Sequence, residues 1–184
     1  MGEPISLSFN DRYFYKQDGL GESSYVFING NDLTNRWKRL KKHESFTIGE
    51  LGFGTGLNFL NALKEWKTFQ REAKLNFISI ERFPLALKDL KKALANFPDL
   101  KNETNALLQL YPPLSRGFHR INFEEDNVSL TLIFDDVGRG LDDLQKTTKT
   151  FDAWFLDGFS PKENPKMWSS KILSGISNLS HSKT

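Results

Sequence analysis

The chain has 184 residues, a formal charge of +2 from 25 basic and 23 acidic side chains, and no cysteine. That length is most simply one domain with a real core, and the missing cysteines exclude disulfides, thiolate catalysis and zinc–thiolate sites. The near balance of charge gives no global field for nucleic acid, so any RNA contact has to come from a local patch.

His43, His119 and His181 are scattered without ligand-like spacing, and no metal is expected. The amino terminus lacks a basic segment leading into an apolar run, and no stretch of about 18 apolar residues occurs anywhere. A soluble, cytoplasmic protein without a membrane partner is predicted. Residues 1–45 read as an amino-terminal extension or cap, rich in β structure. The run from Phe9 to Tyr15 alternates aromatic and polar residues, Gly19–Glu22 turns the chain, and Tyr25-Val26-Phe27-Ile28 reads as a strand. Asn29-Gly30-Asn31-Asp32 is a turn with Asp32 as a helix N-cap. Leu33, Trp37 and Leu40 then share one helical face, while Arg36, Lys38, Arg39, Lys41 and Lys42 fill the rest. Such a basic face is either a solvated surface or a patch for RNA phosphates.

Residues 46–184 read as the main body. From Phe46 the chain runs as a short apolar strand to Glu50, passes Gly52, Phe53, Gly54, Thr55 and Gly56, and leaves through Leu57, Asn58 and Leu60 as an amphipathic helix. Glycines belong where the backbone takes positive φ or lies against a ligand, and the helix start aims free N–H groups at that ligand. A dinucleotide loop needs a small residue where the bulky Leu57 stands, and a phosphate-binding loop needs a Gly-Lys-Ser/Thr that is absent. Acid plus G-x-G-x-G remains, either a cofactor loop or a glycine turn that binds nothing.

Leu75–Ile80 predicts a second strand ending at Glu81, 25 residues after Gly56. An acid there can accept hydrogen bonds from both ribose hydroxyls of a nucleoside, or be an exposed strand-end charge. Pro84 suits the first turn of a helix whose core face is Leu87, Leu90, Leu94 and Phe97, and a further helix is expected over 100–110. Phe118–Phe123 and Val128–Phe134 flank a polar turn and suggest a hairpin feeding a third core strand. That strand ends at Asp135-Asp136, where Asp136 is either an acceptor for an adenine amino group or part of a helix-start signal. Phe151–Leu156 is the fourth core strand, running into Asp157. The alternation predicts an α/β fold, a mostly parallel sheet with helices on both faces, with its ligands beyond the carboxyl ends of the strands.

The glycine loop resembles the first motif of class I S-adenosylmethionine (SAM) methyltransferases. A more specific resemblance covers most of residues 7–170. Phe9-Asn10-Asp11, Gly30-Asn31-Asp32-Leu33, Gly49–Leu60, Ser79-Ile80-Glu81 and Asp152-Ala153-Trp154-Phe155-Leu156-Asp157-Gly158-Phe159 look like the methyltransferase half of the bifunctional tRNA 5-methylaminomethyl-2-thiouridine biosynthesis (MnmC) family. The pattern departs from the family at Ser160, Lys162 and Glu163, and at Asp135, where a glycine is common. The resemblance implies a Rossmann-like fold, SAM as cofactor and methylation of the aminomethyl nitrogen on a wobble uridine of tRNA.

It further implies that Glu50, Gly52, Phe53, Gly54, Thr55, Gly56, Asn58, Glu81 and Asp136 hold the cofactor and that Asp157 orients and deprotonates the amine. Phe159, Pro161, Asn164 and Trp168 become substrate-loop residues, with Phe159 and Trp168 either stacking on a base or packing the loop, and Arg36, Lys38 and Arg39 an RNA contact. A separate FAD-dependent oxidoreductase acting on the same nucleoside is the implied partner. Only four central strands are expected, followed by a polar tail from Leu173. The sheet is therefore expected to be incomplete at the carboxyl end, exposing the aromatic strand around Trp154 to self-association.

Overall fold

In a computed structural model of the chain, the described residues are 5–6, 11–12, 19–69, 72–147, 150–157 and 164–184. Five strands make the main sheet: β3 (Ser45–Leu51), β4 (Lys74–Glu81), β5 (Gly117–Phe123), β6 (Val128–Phe134) and β7 (Ala153–Phe155). Their order is β5-β6-β4-β3-β7, and only β5 runs antiparallel to its neighbour. From β3 the chain crosses to β4 on one side, while β7 arrives on the other. The crevice at that switch point is where an open α/β sheet holds ligands.

Strand alternation divides the side chains between two cores. Phe46 and Ile48 of β3, Leu75 and Phe77 of β4, Val128, Leu130 and Leu132 of β6, and Ala153 and Phe155 of β7 enter one core. It is covered by α2 (Leu33–Lys38), α3 (Leu57–Lys67), α4 (Leu87–Leu94) and α5 (Lys101–Leu110). Leu51, Ile80 and Ile133 face the other way, under α6 (Val137–Thr147) and α7 (Ser170–Asn178). Helices on both faces are as predicted. Glu50, Ser79, Glu81 and Asp157 have the parity of the first core, so strand geometry alone aims all four toward α3.

The amino-terminal part departs from the β-rich expectation. Two-residue strands β1 (Ile5–Ser6) and β2 (Asp11–Arg12) pair antiparallel, but α1 (Gly19–Ser23) continues into a π-helical turn over Ser24–Asn29, closed by Gly30 N–H donating to Tyr25 O at 3.1 Å. Phe27 and Ile28 are buried while Tyr25 and Val26 are exposed. A four-residue apolar run cannot separate strand from helix, and here burial at helical spacing decides. The 30–32 turn is present, but Asp32 does not cap α2. It sits at φ 50°, and its carboxylate accepts instead from Asn35 Nδ2 at 2.7 Å. Trp37 is fully buried, edge-on to Phe46, Trp66 and Phe69, which joins α2 to the same core as the sheet.

Two smaller expectations also change. Pro84 lies in the connection before α4 rather than in its first turn, and Leu87 is half exposed, because the helix begins only after Ala86 and turns Leu90 and Leu94 inward.

The carboxyl-terminal stretch is not a polar tail. Ile172, Ile176 and Leu179 recur at helical spacing and bury themselves in the second core through α7 and its end. The chain then returns along the edge strand: Phe151 N–H donates to Leu179 O at 2.8 Å, Trp154 Nε1–H to Ser180 Oγ at 3.1 Å, and Thr184 Oγ1–H to Phe151 O at 2.7 Å. Phe151 and Phe155 are fully buried. Phe155 packs on Phe27 and Phe77, and Trp154 lies against Phe151. The exposed aromatic edge on which the expected self-association depends is absent from the described residues. Among them, no helix is long and apolar enough to cross a membrane.

Candidate active site

The glycine loop closes tightly. Gly52 N–H donates to Ile80 O at 2.9 Å, Gly56 N–H to Phe53 O at 2.7 Å, and α3 starts with Leu60 N–H on Gly56 O. Gly56 takes φ 73°, and a Cβ there would meet the Phe53 ring at 2.7 Å, so this position admits no side chain without repacking. Phe53 and Thr55 are themselves buried and serve the loop's packing.

Glu50 is wholly buried behind the loop. Ser79 Oγ–H donates to its Oε2 at 2.6 Å and Asn58 Nδ2–H to its Oε1 at 3.2 Å. Burial dominates and pushes its pKa well above the ordinary value, with Asp157 and Glu81 adding repulsion against the two hydrogen bonds. Glu50 thus supports the site from behind. A carboxyl raised in this way contributes stability that is fully present below its unfolded pKa of about 4.5 and is lost as pH rises through the folded value. Glu50→Gln mimics the neutral acid without being able to ionise. Its melting temperature relative to wild type is expected to climb steadily from pH 4.5 upward, and parallel melting curves across that range would refute a raised Glu50 pKa.

The Asn58 amide also reaches Asp157, donating to Oδ2 at 2.5 Å. Asp157 keeps a solvent-exposed face, yet the surrounding protein strips enough water from its carboxyl to raise its pKa. The Asn58 bond opposes that shift and repulsion from Glu22 adds to it. Glu81 accepts from Gly54 N–H at 2.9 Å through Oε2 and from Phe83 N–H at 2.6 Å through Oε1, which pins the second strand end to the glycine loop. Each carboxylate oxygen retains a lone pair for a further donor.

The other predicted residues fall elsewhere. Asp136 stands just before α6 and accepts from Gly138 N–H at 3.0 Å, an N-cap geometry, while Arg82 lies 3.5 Å from its other oxygen. The helix-start reading is thus realised there. Arg36 is spent on the protein itself, donating to Asp152 O at 2.6 Å and Lys183 O at 3.0 Å with its guanidinium over Phe46. Lys38 and Arg39 are exposed. Trp168 and Met167 line a small apolar pocket with Leu51, Leu156, Leu173 and Ile176, on the α7 side of the sheet, so Trp168 packs there. Asn164 lies 3.5 Å from Met167 Sδ. Phe159 and Pro161 lie outside the described residues.

Two participants, Asn61 and Glu22, are not singled out by the sequence, and Ser79 enters there only within Ser79-Ile80-Glu81, with no role of its own. Ser79 could be found there, as a polar residue at an inward position of an apolar strand. Asn61 donates to Ser23 Oγ at 3.1 Å and Ser24 Oγ at 3.0 Å, and thereby ties α1, with Glu22, beside Asp157. Nothing local in the sequence announces that pairing.

A cradle lined by backbone, with a cluster of carboxyls around it, fits a cofactor that carries positive charge. A Cβ on Gly52 would come within 3.1 Å of Asp157 O, so the loop and the last strand end leave no room for a side chain between them. A family described as S-adenosyl-L-methionine-dependent methyltransferase matches residues 98–184. With the five-stranded fold and the strand-end acids, this likens the chain to S-adenosyl-L-methionine-dependent methyltransferases. Its particular likeness is to the tRNA 5-methylaminomethyl-2-thiouridine biosynthesis bifunctional protein MnmC. The chain is 40% identical to the protein of that name from Legionella pneumophila (strain Lens), over 98% of this chain and 29% of the relative. To the one from Marinobacter nauticus it is 46% identical, over 95% of this chain and 28% of the relative. The chain therefore spans under a third of the length of these relatives. In fold it is similar to the crystal structure of MNMC2 from Aquifex aeolicus, with a TM-score of 0.74 at 23% identity, covering 96% of this chain and 52% of that one.

Proposed function

We infer that the chain transfers the methyl group of SAM to the aminomethyl nitrogen on the wobble uridine of tRNA, giving 5-methylaminomethyl-2-thiouridine. The observation that carries this reading is Asp157, a carboxylate with raised basicity at the mouth of the crevice, anchored through one oxygen only. The similarity to proteins named for tRNA 5-methylaminomethyl-2-thiouridine biosynthesis supports the substrate. Residues 46–184 act as the cofactor-binding body, residues 1–45 supply the wall that carries Glu22, and the reaction belongs in the cytoplasm with tRNA.

Bound SAM supplies an electrophilic methyl on a sulfonium centre. The backbone of Gly52–Gly56 would hold its methionine part and Glu81 its ribose. The chain's own task is to present a neutral nitrogen. An alkylamine has a pKa of roughly 10, so near pH 7 the reactive neutral form costs about 4 kcal/mol, and the proton lost to expose its lone pair passes by way of the Asp157 carboxylate to solvent. Asp157 takes that proton and holds the nitrogen, and positioning contributes the rest.

Incubating the chain with labelled SAM and tRNA from cells lacking the modification, followed by nucleoside analysis, tests this directly. Label in the wobble nucleoside is expected. SAM binding without transfer, or label only in small amines, would overturn it. RNA contact is assigned to the exposed Lys38 and Arg39. Replacing both with neutral residues should weaken tRNA binding and reduce the slope of log affinity against log salt by roughly 0.7–0.9 for each phosphate that is no longer neutralised. An unchanged slope would return the helix to a solvated face.

A further inference from the structure

Asn58 is the second residue of α3, directly after the glycine loop, and is buried. An asparagine amide has one nitrogen with two N–H bonds. Here that nitrogen faces two carboxyls, Glu50 Oε1 behind it and Asp157 Oδ2 in front. Asp157 Oδ1 has no partner among the described residues. Glu50 is itself fixed by Ser79, so the line Ser79–Glu50–Asn58–Asp157 runs from the interior of the sheet to the mouth of the crevice.

We propose that Asn58 is a positioning residue for the methyl transfer, clamping Asp157 Oδ2 against the buried Glu50 so that Oδ1 is the oxygen presented to the substrate nitrogen. This rests on the reading of Asp157 as the base. The acidic groups facing the clamp are Glu50 from β3, Glu22 from α1 and, beyond Glu50, Glu81 from β4. Because the amide donates to the ionised form of Asp157, it favours ionisation. Its removal raises the pKa of the base and moves the acidic limb of the turnover profile to higher pH.

Asn58→Ala in the full chain should lower kcat roughly tenfold or more at neutral pH and shift the acidic limb upward, with SAM affinity by calorimetry within about threefold of wild type. Asn96→Ala, which removes an exposed amide that donates to Ala93 O away from the crevice, should leave the limb in place. An unmoved limb in Asn58→Ala overturns the proposal whatever the SAM affinity, and an abolished SAM affinity with an unmoved limb makes Asn58 a cofactor ligand. Should Asn58→Ala fail to fold, the wild-type chain decides by NMR without any RNA. The Asn58 side-chain amide and the Asp157 carboxyl carbon should titrate with one midpoint, and an amide indifferent to pH overturns the clamp. That readout fails or holds independently of the substrate assignment.

Discussion

Asp157→Asn is expected to lower the turnover of methyl transfer by roughly 10²-fold or more while SAM affinity stays near wild type, the usual scale for loss of a general base. The substitution is nearly isosteric. The new amide oxygen can still accept from Asn58 Nδ2, so the 2.5 Å hydrogen bond that anchors the side chain survives. What disappears is the charge and the ability to take a proton from the substrate amine. With Asp157 as the proposed base, the acidic limb of the pH profile should vanish with it. Single-turnover kinetics alongside calorimetry separate the two effects. A collapse of cofactor binding with turnover falling only in proportion would make Asp157 a cofactor ligand and remove it from proton transfer.

Gly54→Val is expected to weaken SAM binding by roughly 10²-fold or more, which corresponds to about 3 kcal/mol. Gly54 takes φ 53°, and its N–H donates to Glu81 Oε2 at 2.9 Å. A left-handed conformation costs an ordinary residue about 1–2 kcal/mol, and a β-branched one is a genuine outlier there. The loop must then either carry that strain or flip its peptide and release Glu81, which frees the acid assigned to the ribose. The added side chain also occupies space at the cradle. Calorimetry on the folded variant decides, and undiminished affinity would mean that this loop does not hold the cofactor.

Much of this site is legible from the chain because its geometry is local. Alternation along β3 and β4 puts Glu50 and Glu81 on one face, and the glycines declare where the backbone turns. The carboxyl-terminal position of Asp157 in an apolar run places it at a strand end for the same reason. Glu50 shows the limit of that reasoning. Strand parity aims it toward the cofactor side, but only the positions of Ser79 and Asn58 reveal that it is sealed behind them. Arg36 shows it again. A basic helix face looks like a phosphate patch until the main-chain carbonyls of Asp152 and Lys183, more than 100 residues away, are seen to claim its guanidinium. The π-helical turn and α7 are hidden for a different reason: short apolar runs carry too few repeats to fix a period, and tertiary burial settles them.

The partners of Asn58 lie at very different distances along the chain. Glu50 is 8 residues away, and Ser79 lies 29 from Glu50, whereas Asp157 is 99 residues from the amide it joins. The cofactor half of the crevice is therefore assembled from one contiguous stretch, and the acid is delivered by a long excursion that ends on β7. That strand is only three residues long, and it is held by Asp152 accepting from Thr47 N–H at 2.7 Å, by Arg36, and by the returning carboxyl-terminal residues. Closing a longer loop costs only slightly more chain entropy, so the excursion can lengthen or diversify at small energetic cost. Affinity for the cofactor and the power to turn it over are consequently separable traits in this architecture. Changes that loosen the moorings of β7 are expected to act on the second and spare the first, so selection could tune the proposed base without rebuilding the glycine loop.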